Sequence, residues 1–462
     1  MSFRTILVLV GSLLVAAGSL VAYLVSQEPG PIVTIRQPVA IGGGSFAVDL
    51  SVDAHQPEFG RLEVWIEQGG RRQSVVTVSP ASRATLTQET PTRVRLSQTL
   101  PTSTLGPLRD GTARLVVAAS RPVLFGWRQA RTEIGRDIKI RLAPPALSLV
   151  SSRHLVTLGG AEMVVYRVTP PDAVSGVTVG DRFYRGYPAS GVSGSKAADP
   201  ALHVAFFALA FDQDVDTRIQ LTAQDAAGNQ SSLPLAHRAV STKFARSRVR
   251  LNDRQLRRVL PPILSNSPDL ALPTGTRAER IDAFLQINGD LRRRNDEQIA
   301  SLTTSTSPEW LGRGPFRRLP GASAQSPFAQ RRTYLNGRRR VDEQVHLGFD
   351  LASVRGAAVS ASNAGRVVFA GYLGIYGNCI VLDHGMGVQT LYAHLSVMDV
   401  ERCDLVEKGE TIGHSGATGL AGGDHVHFTV LVGGTPVNPV EWWDARWVRD
   451  RIKRRLHEAG IR

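Results

Sequence analysis

DHVHFTV, residues 424–430, carries two histidines two positions apart near the C-terminal end of a 462-residue chain. Side chains alternate faces along a strand, so His425 and His427 point the same way. Upstream, VHLGFDLA (Val345–Ala352) sets His346 and Asp350 four apart, a same-face step on a strand or a helix. Between them, LYAHLS (Leu391–Ser396) adds His394, and GHSGATG (Gly413–Gly419) adds a glycine-rich turn. Histidine and carboxylate together are the donor set of a catalytic zinc site, which takes three protein ligands and leaves a fourth position open. Of eleven histidines, seven lie after residue 340. A single histidine reads as a hydrogen-bonded core residue; the clustering argues against that reading for the set.

These pieces resemble the lysostaphin-type (LytM-type) zinc endopeptidases that cut cell-wall peptidoglycan. That family carries HxxxD, then YxHL, then GxTG and HxHF, in the order found here between about Thr333 and Pro439. HxxxD alone would be weak evidence and HxH alone nearly worthless; the ordered set is strong. The resemblance implies Zn2+ as cofactor, with His346, Asp350 and His427 as metal ligands and His394 and His425 as catalytic histidines outside the ligand set. It also implies a small, mostly antiparallel β domain with an open groove. Asn378 matches a family asparagine beside that groove. Thr418 and Gly419 lie in the glycine-rich loop Gly416–Gly423, whose glycines lack side chains and so let it approach a substrate backbone closely. These three are the substrate-binding candidates. His384, in the turn DHG, and His414, in GHSG, read as structural.

The chain is long enough for two to four domains. Its formal net charge is +14, from 54 Lys and Arg against 40 Asp and Glu. Such a balance suits anionic surroundings such as phospholipid, wall phosphate or acidic wall peptides. No nucleic-acid-binding motif is present, so nucleic acid is excluded as a partner. Two cysteines, Cys379 and Cys403, leave two readings open: a disulfide, as befits an even pair outside the cytosol, or two unpaired thiols.

The expected architecture is mainly β. Residues 1–5 form a short cytoplasmic N-terminus, and the uncharged run Ile6–Ser26 forms a transmembrane anchor, close to the ~20 residues that span a bilayer. A cleaved signal peptide is the alternative, but Tyr23–Ser26 is a poor cleavage site. Arg4 on the short side then leaves the bulk of the chain outside the cytosol, making a single-pass inner-membrane protein. Residues 27–143 carry short alternating runs such as FAVDLSV (Phe46–Val52) and ARLVVAAS (Ala113–Ser120), the pattern of a β-sandwich. Ala143-Pro144-Pro145 breaks it, and residues 144–240 form a second, immunoglobulin-like β module with the turn DAAGN (Asp225–Asn229). These modules read as a wall-binding spacer or a structural stalk.

Residues 241–312 change to a helical period. A first helix, Asn252–Leu260, stops at Pro261-Pro262, and a longer one covers about Ala278–Leu302. Arg292, Arg293 and Arg294 on it read as a solvated face. Residues 313–445 hold the peptidase domain, with strands in GRVVFAGYL (Gly365–Leu373), GNCIVLDHG (Gly377–Gly385) and GVQTLYAHL (Gly387–Leu395). Its lead-in Gly312–Arg340 holds eight arginines and no acid; it lines the cleft or lies on the surface. Residues 446–462 form a basic helix, packed back by Trp447, Ile452 and Leu456. The combined expectation is a membrane-anchored zinc endopeptidase acting on peptidoglycan cross-links, with D,D-endopeptidase action implied by the resemblance. The rivals are a catalytically inactive peptidoglycan-binding module that activates another wall hydrolase, and a stalk whose end only docks on the wall. Inactive relatives lose metal ligands; here all five positions are kept.

Overall fold

The structure is a computed structural model that describes residues 3–26, 28–54, 60–123, 126–193 and 199–461. Strand takes 46% of the chain and helix 20%, so the mainly β reading stands. The chain divides into two compact units, Met1–Pro145 with Gln224–Gln230, and Ala146–Ala223 with Ser231–Arg462.

The first unit holds a four-stranded sheet, in spatial order Ile32–Gln37, Ser45–Asp53, Arg93–Pro101 and Thr87–Gln88. A five-stranded sheet adds Ala40–Ile41, Arg128–Ile140, Gly111–Val123, Arg61–Gln68 and Arg71–Val78. Alternation decides the inward faces: Val48, Leu50 and Val52 from one sheet join Leu62, Leu115 and Ile138 from the other in one core.

The N-terminal residues correct one expectation. Phe3–Ser26 is helical, but among the described residues no helix is long and apolar enough to cross a membrane. The single-pass inner-membrane location is therefore withdrawn. Met1 and Ser2 of the expected N-terminal segment lie outside the described residues.

In the second unit, Gly160–Thr169 and Leu202–Leu209 pair antiparallel and bury nearly every side chain. Val164, Tyr166 and Phe207 belong to the same core as Leu382, Tyr392, Phe428 and Trp442 of the C-terminal domain. The tail closes onto this core, with Ile452 buried and Trp447 and Leu456 packed against it.

The first connector helix runs Asp253–Ser265, through Pro261 and Pro262 rather than stopping before them. A proline inside a helix removes a hydrogen bond and crowds the preceding turn. Ile263 lies fully buried beside Leu256 and Leu260, and this packing carries the helix across the break. Arg277–Gln286 starts at a capping box between Thr276 and Glu279. A π turn, Ile287–Leu291, then leads into Arg292–Ser301. These helices bury Phe284 and Ile299 against Tyr334, Tyr376 and Leu391 of the peptidase region.

The C-terminal sheet is antiparallel, ordered Ser323–Ser326, Phe349–Ala352, Val426–Val432, Val388–Leu395, Gly377–Asp383, Gly365–Leu373 and Leu405–Val406, with Thr435–Val437 added on Val426–Val432. A separate sheet joins Arg246–Arg250, Gln330–Asn336 and Arg339–His346. Cys379 is buried and Cys403 exposed, both free thiols.

His384 lies fully buried in this domain. Its Nδ1 bonds the Ala364 carbonyl at 2.7 Å and its Nε2 lies 2.8 Å from Thr390 Oγ1. Burial pushes its pKa down to about 4, against about 6.5 in an unfolded chain. Between those values the unfolded chain binds the extra proton, so stability is complete above about pH 6.5 and is lost on acidification toward 4. The loss amounts to about 3 kcal/mol if the whole shift is expressed. Denaturant midpoints taken from pH 7 to pH 4 are expected to fall, and to fall less steeply in His384→Gln. An equal slope in both proteins would remove His384 as the acid-sensitive group.

Candidate metal centre

Register builds the site. Asp350 sits opposite His427 in the pair Phe349–Ala352 with Val426–Val432, and Ala393 sits opposite His427 on its other side. His346 ends its own strand, paired to Gln330 in the neighbouring sheet. Three strands from two sheets thus converge on one point. His346 Nε2 lies 2.9 Å from Asp350 Oδ1 and 2.8 Å from His427 Nδ1, and His427 Nδ1 lies 3.1 Å from Asp350 Oδ1. All three residues are buried, with ligand atoms within 4.8 Å of one another.

The surrounding bonds set the tautomers. His346 Nδ1–H donates to the Pro327 carbonyl at 3.2 Å, which leaves Nε2 with its lone pair toward the cluster. Thr429 Oγ1 donates to the Leu347 carbonyl at 3.1 Å, so it accepts from His427 Nε2–H at 3.1 Å and leaves His427 Nδ1 as donor atom. Outer partners of this kind orient imidazole ligands. Burial lowers the pKa of His346 and pushes that of His427 down to about 4, so both rings are neutral at pH 7. Burial of Asp350 favours the protonated acid, yet His346 and His427 beside it hold the carboxyl well below the usual range. Two neutral imidazoles and one carboxylate, each already deprotonated, fit zinc.

His394 and His425 face this cluster. Their ring centroids are 4.8 Å apart, and His394 lies 5.8 Å from His427. His425 Nε2 lies 3.6 Å from Asp350 Oδ1. His394 does not follow the plain strand geometry read from the sequence. The register slips between Asn378 and Ile380 on the neighbouring strand, and His394 has φ 64°. A bulge of this kind re-aims a side chain. The Thr418 carbonyl accepts from His394 Nδ1–H at 2.9 Å, and the Gly423 carbonyl accepts from His425 Nδ1–H at 2.8 Å, so each ring keeps Nε2 free. Burial, reinforced by the His425 and His427 rings packed beside it, holds His394 well below the ordinary histidine range.

The three substrate-binding candidates meet at the same corner. Thr418 Oγ1 donates to the Leu395 carbonyl at 2.8 Å and accepts from Asn378 N at 3.0 Å. Asn378 Nδ2 donates to Leu395 O at 3.2 Å. Gly419, at φ +66°, lies so close to Gly377 N that a Cβ would come within 2.4 Å of it. In this geometry they brace the loop that holds His394. His384 lies in the core, as above, and His414 lies 3.4 Å from Asp399 away from the cluster.

Four residues escaped the sequence reading. Arg332 donates to Asp350 Oδ2 at 2.9 Å. Tyr376 packs its ring 5.5 Å from His427, with its hydroxyl 2.6 Å from Asp296 of the connector. Asn295 accepts from Ile375 N at 3.0 Å, steadying the same turn. Gly348, inside the HxxxD stretch, leaves no room for a side chain: a Cβ there would come within 2.4 Å of His427 Nε2 and 2.6 Å of Thr429 Oγ1. Gly348→Ala is expected to displace the His427 ring and weaken zinc affinity by about 10- to 100-fold, the usual cost of losing ligand orientation. A chelator-competition titration showing wild-type affinity would contradict this. A cavity of about 710 Å³ around Tyr184, Tyr187 and Met386 includes none of the five histidine and aspartate positions.

A small antiparallel β domain with a buried two-histidine, one-aspartate cluster defines a metallopeptidase-type site. Residues 344–439 match the model of Peptidase family M23, so this region is an M23 domain, as the ordered motifs implied. The chain is 43% identical over 97 residues to "DD-carboxypeptidase/endopeptidase Mpg" of Neisseria meningitidis, covering 21% of this chain and 22% of that protein. It is 30% identical over 182 residues to "Peptidoglycan DD-endopeptidase ShyA" of Vibrio cholerae, covering 39% of each. The matched stretch thus spans well under half of either relative. Among solved structures, the catalytic domain of lysostaphin from Staphylococcus simulans aligns at 27% identity, with 28% of this chain and 98% of that chain covered and a TM-score of 0.25.

Proposed function

We propose that this protein is a zinc-dependent metalloendopeptidase that hydrolyses peptide cross-links of peptidoglycan. The observation that carries the reading is the buried His346–Asp350–His427 cluster with two further histidines facing it. His346 Nε2, Asp350 Oδ1 and His427 Nδ1 are the proposed ligand atoms. A zinc ion bound there supplies Lewis acidity to a carbonyl and to a water. The chain's own part is to place protons. His394 Nε2 and His425 Nε2, each with its other nitrogen tied to a backbone carbonyl, are positioned to take a proton from water, stabilise an oxyanion and return a proton to the leaving amine. A neutral His394 ring suits acceptance. Arg332 and Thr429 hold the ligand side chains in place. The two named relatives support D,D-endopeptidase action as the reaction. The domain limits read from the sequence stay as the proposed division, with 313–445 as the catalytic part.

The competing reading is an inactive wall-binding module. Elemental analysis of the purified full chain separates the two. The expected result is about one zinc per chain, the stoichiometry of a three-ligand catalytic site. Absence of zinc from a folded chain would favour the inactive module.

A further inference from the structure

A second concavity opens beside the metal cluster. It has a volume of about 360 Å³ and lies between the first connector helix, the Gln330–Asn336 strand and the glycine-rich loop at Leu420 and Gly422. Leu256, Phe284 and Tyr334 form an apolar floor, and Arg250, Gln255 and Arg332 stand among its polar lining. Arg332 ties it to the centre, since the same guanidinium bonds the ligand Asp350 at 2.9 Å. Register adds a second tie: Ser326, on its wall, pairs with Asp350. The connector helix is anchored to the loop by Arg258, which donates to the carbonyls of Ala421 at 3.0 Å and Gly422 at 2.8 Å.

The lining has one charge sign. No aspartate or glutamate lines the cleft. Arg250 is exposed, and among the described residues it forms no ion pair. An apolar floor with a free guanidinium at the rim fits an aliphatic chain that ends in a carboxylate, held by a charge-assisted hydrogen bond. We propose that this cleft is a specificity subsite that receives a carboxylate-terminated aliphatic side chain of the wall peptide, on a residue next to the scissile bond, with Arg250 as the residue that reads the carboxylate. The proposal rests on the peptidase reading above and adds what that enzyme selects.

The test is a binding titration on the full-length chain. The probe is a monomeric wall peptide with no cross-link to cleave, used once with its side-chain carboxylate free and once as the primary amide. The acid form is expected to bind about tenfold tighter, the value of one charge-assisted contact. Arg250→Gln is expected to weaken the acid form to the level of the amide and leave the amide unchanged, with Arg250→Lys keeping part of the preference. Arg248→Gln, an exposed arginine on the same strand outside the cleft, is expected to keep the full preference. Equal binding of acid and amide by the wild type, or the same preference in Arg250→Gln, would overturn the proposal. So would an Arg248→Gln loss as large as that of Arg250→Gln, which would mark general charge attraction instead. Because nothing is cleaved, a failure of hydrolysis bears on the proposed function and leaves this outcome readable.

Discussion

Asp350→Ala is expected to strip the chain of bound zinc and abolish cross-link hydrolysis. Asp350 Oδ1 is the atom on which His346 and His427 converge, at 2.9 and 3.1 Å. Its other oxygen neutralises Arg332 at 2.9 Å. Alanine therefore removes a ligand and leaves an unpaired guanidinium facing the place where a dication would sit. Zinc affinity should drop by more than the about 100-fold that loss of an outer partner costs. Elemental analysis and a chelator competition measure it. A variant that keeps one equivalent of zinc would remove Asp350 from the ligand set.

His394→Ala separates chemistry from metal binding. The ring is no part of the proposed ligand set, so zinc is expected to stay. Its proposed work is proton transfer or oxyanion stabilisation, each worth on the order of 10²–10⁴ in rate. Hydrolysis should fall by that factor while zinc content and sacculus binding persist. The backbone at φ 64° is strained for alanine, and asparagine tolerates that region better. His394→Asn therefore serves as the second variant, keeping the fold while removing the imidazole. If both variants melted earlier and still hydrolysed at the wild-type rate, His394 would be a structural residue.

Much of this site is legible because strand geometry is periodic. The two-residue step from His425 to His427 puts both on one face, whereas His346 and Asp350 lie on separate strands and meet where two sheets converge. The strands around them could be read from their alternation and glycine turns. What could not be read depends on contacts between segments far apart in sequence. Arg332 looked like one of eight arginines in a basic lead-in, and only the pairing of two sheets sets it on Asp350. Gly348 looked like a spacer; its need for hydrogen in place of a side chain appears only once His427 stands beside it. Tyr376 reaches Asp296 and Asn295 reaches Ile375 N, contacts between the connector and the peptidase region that a local helical period cannot indicate. The helix through Pro261 and Pro262 shows the same limit, since buried Ile263 outweighs the local breaking signal. The apolar N-terminal run shows that composition by itself did not carry the membrane reading.

The most direct measurement of the central claim is digestion of purified sacculi by the full-length chain, with mass analysis of the released fragments. Three samples are compared: the purified protein, the protein after chelation, and the chelated protein with zinc restored. The account expects cross-linked dimers to be converted to monomers by the first and third samples and not by the second. Unchanged dimers in the first and third samples, from protein shown to be folded and zinc-loaded, would contradict it.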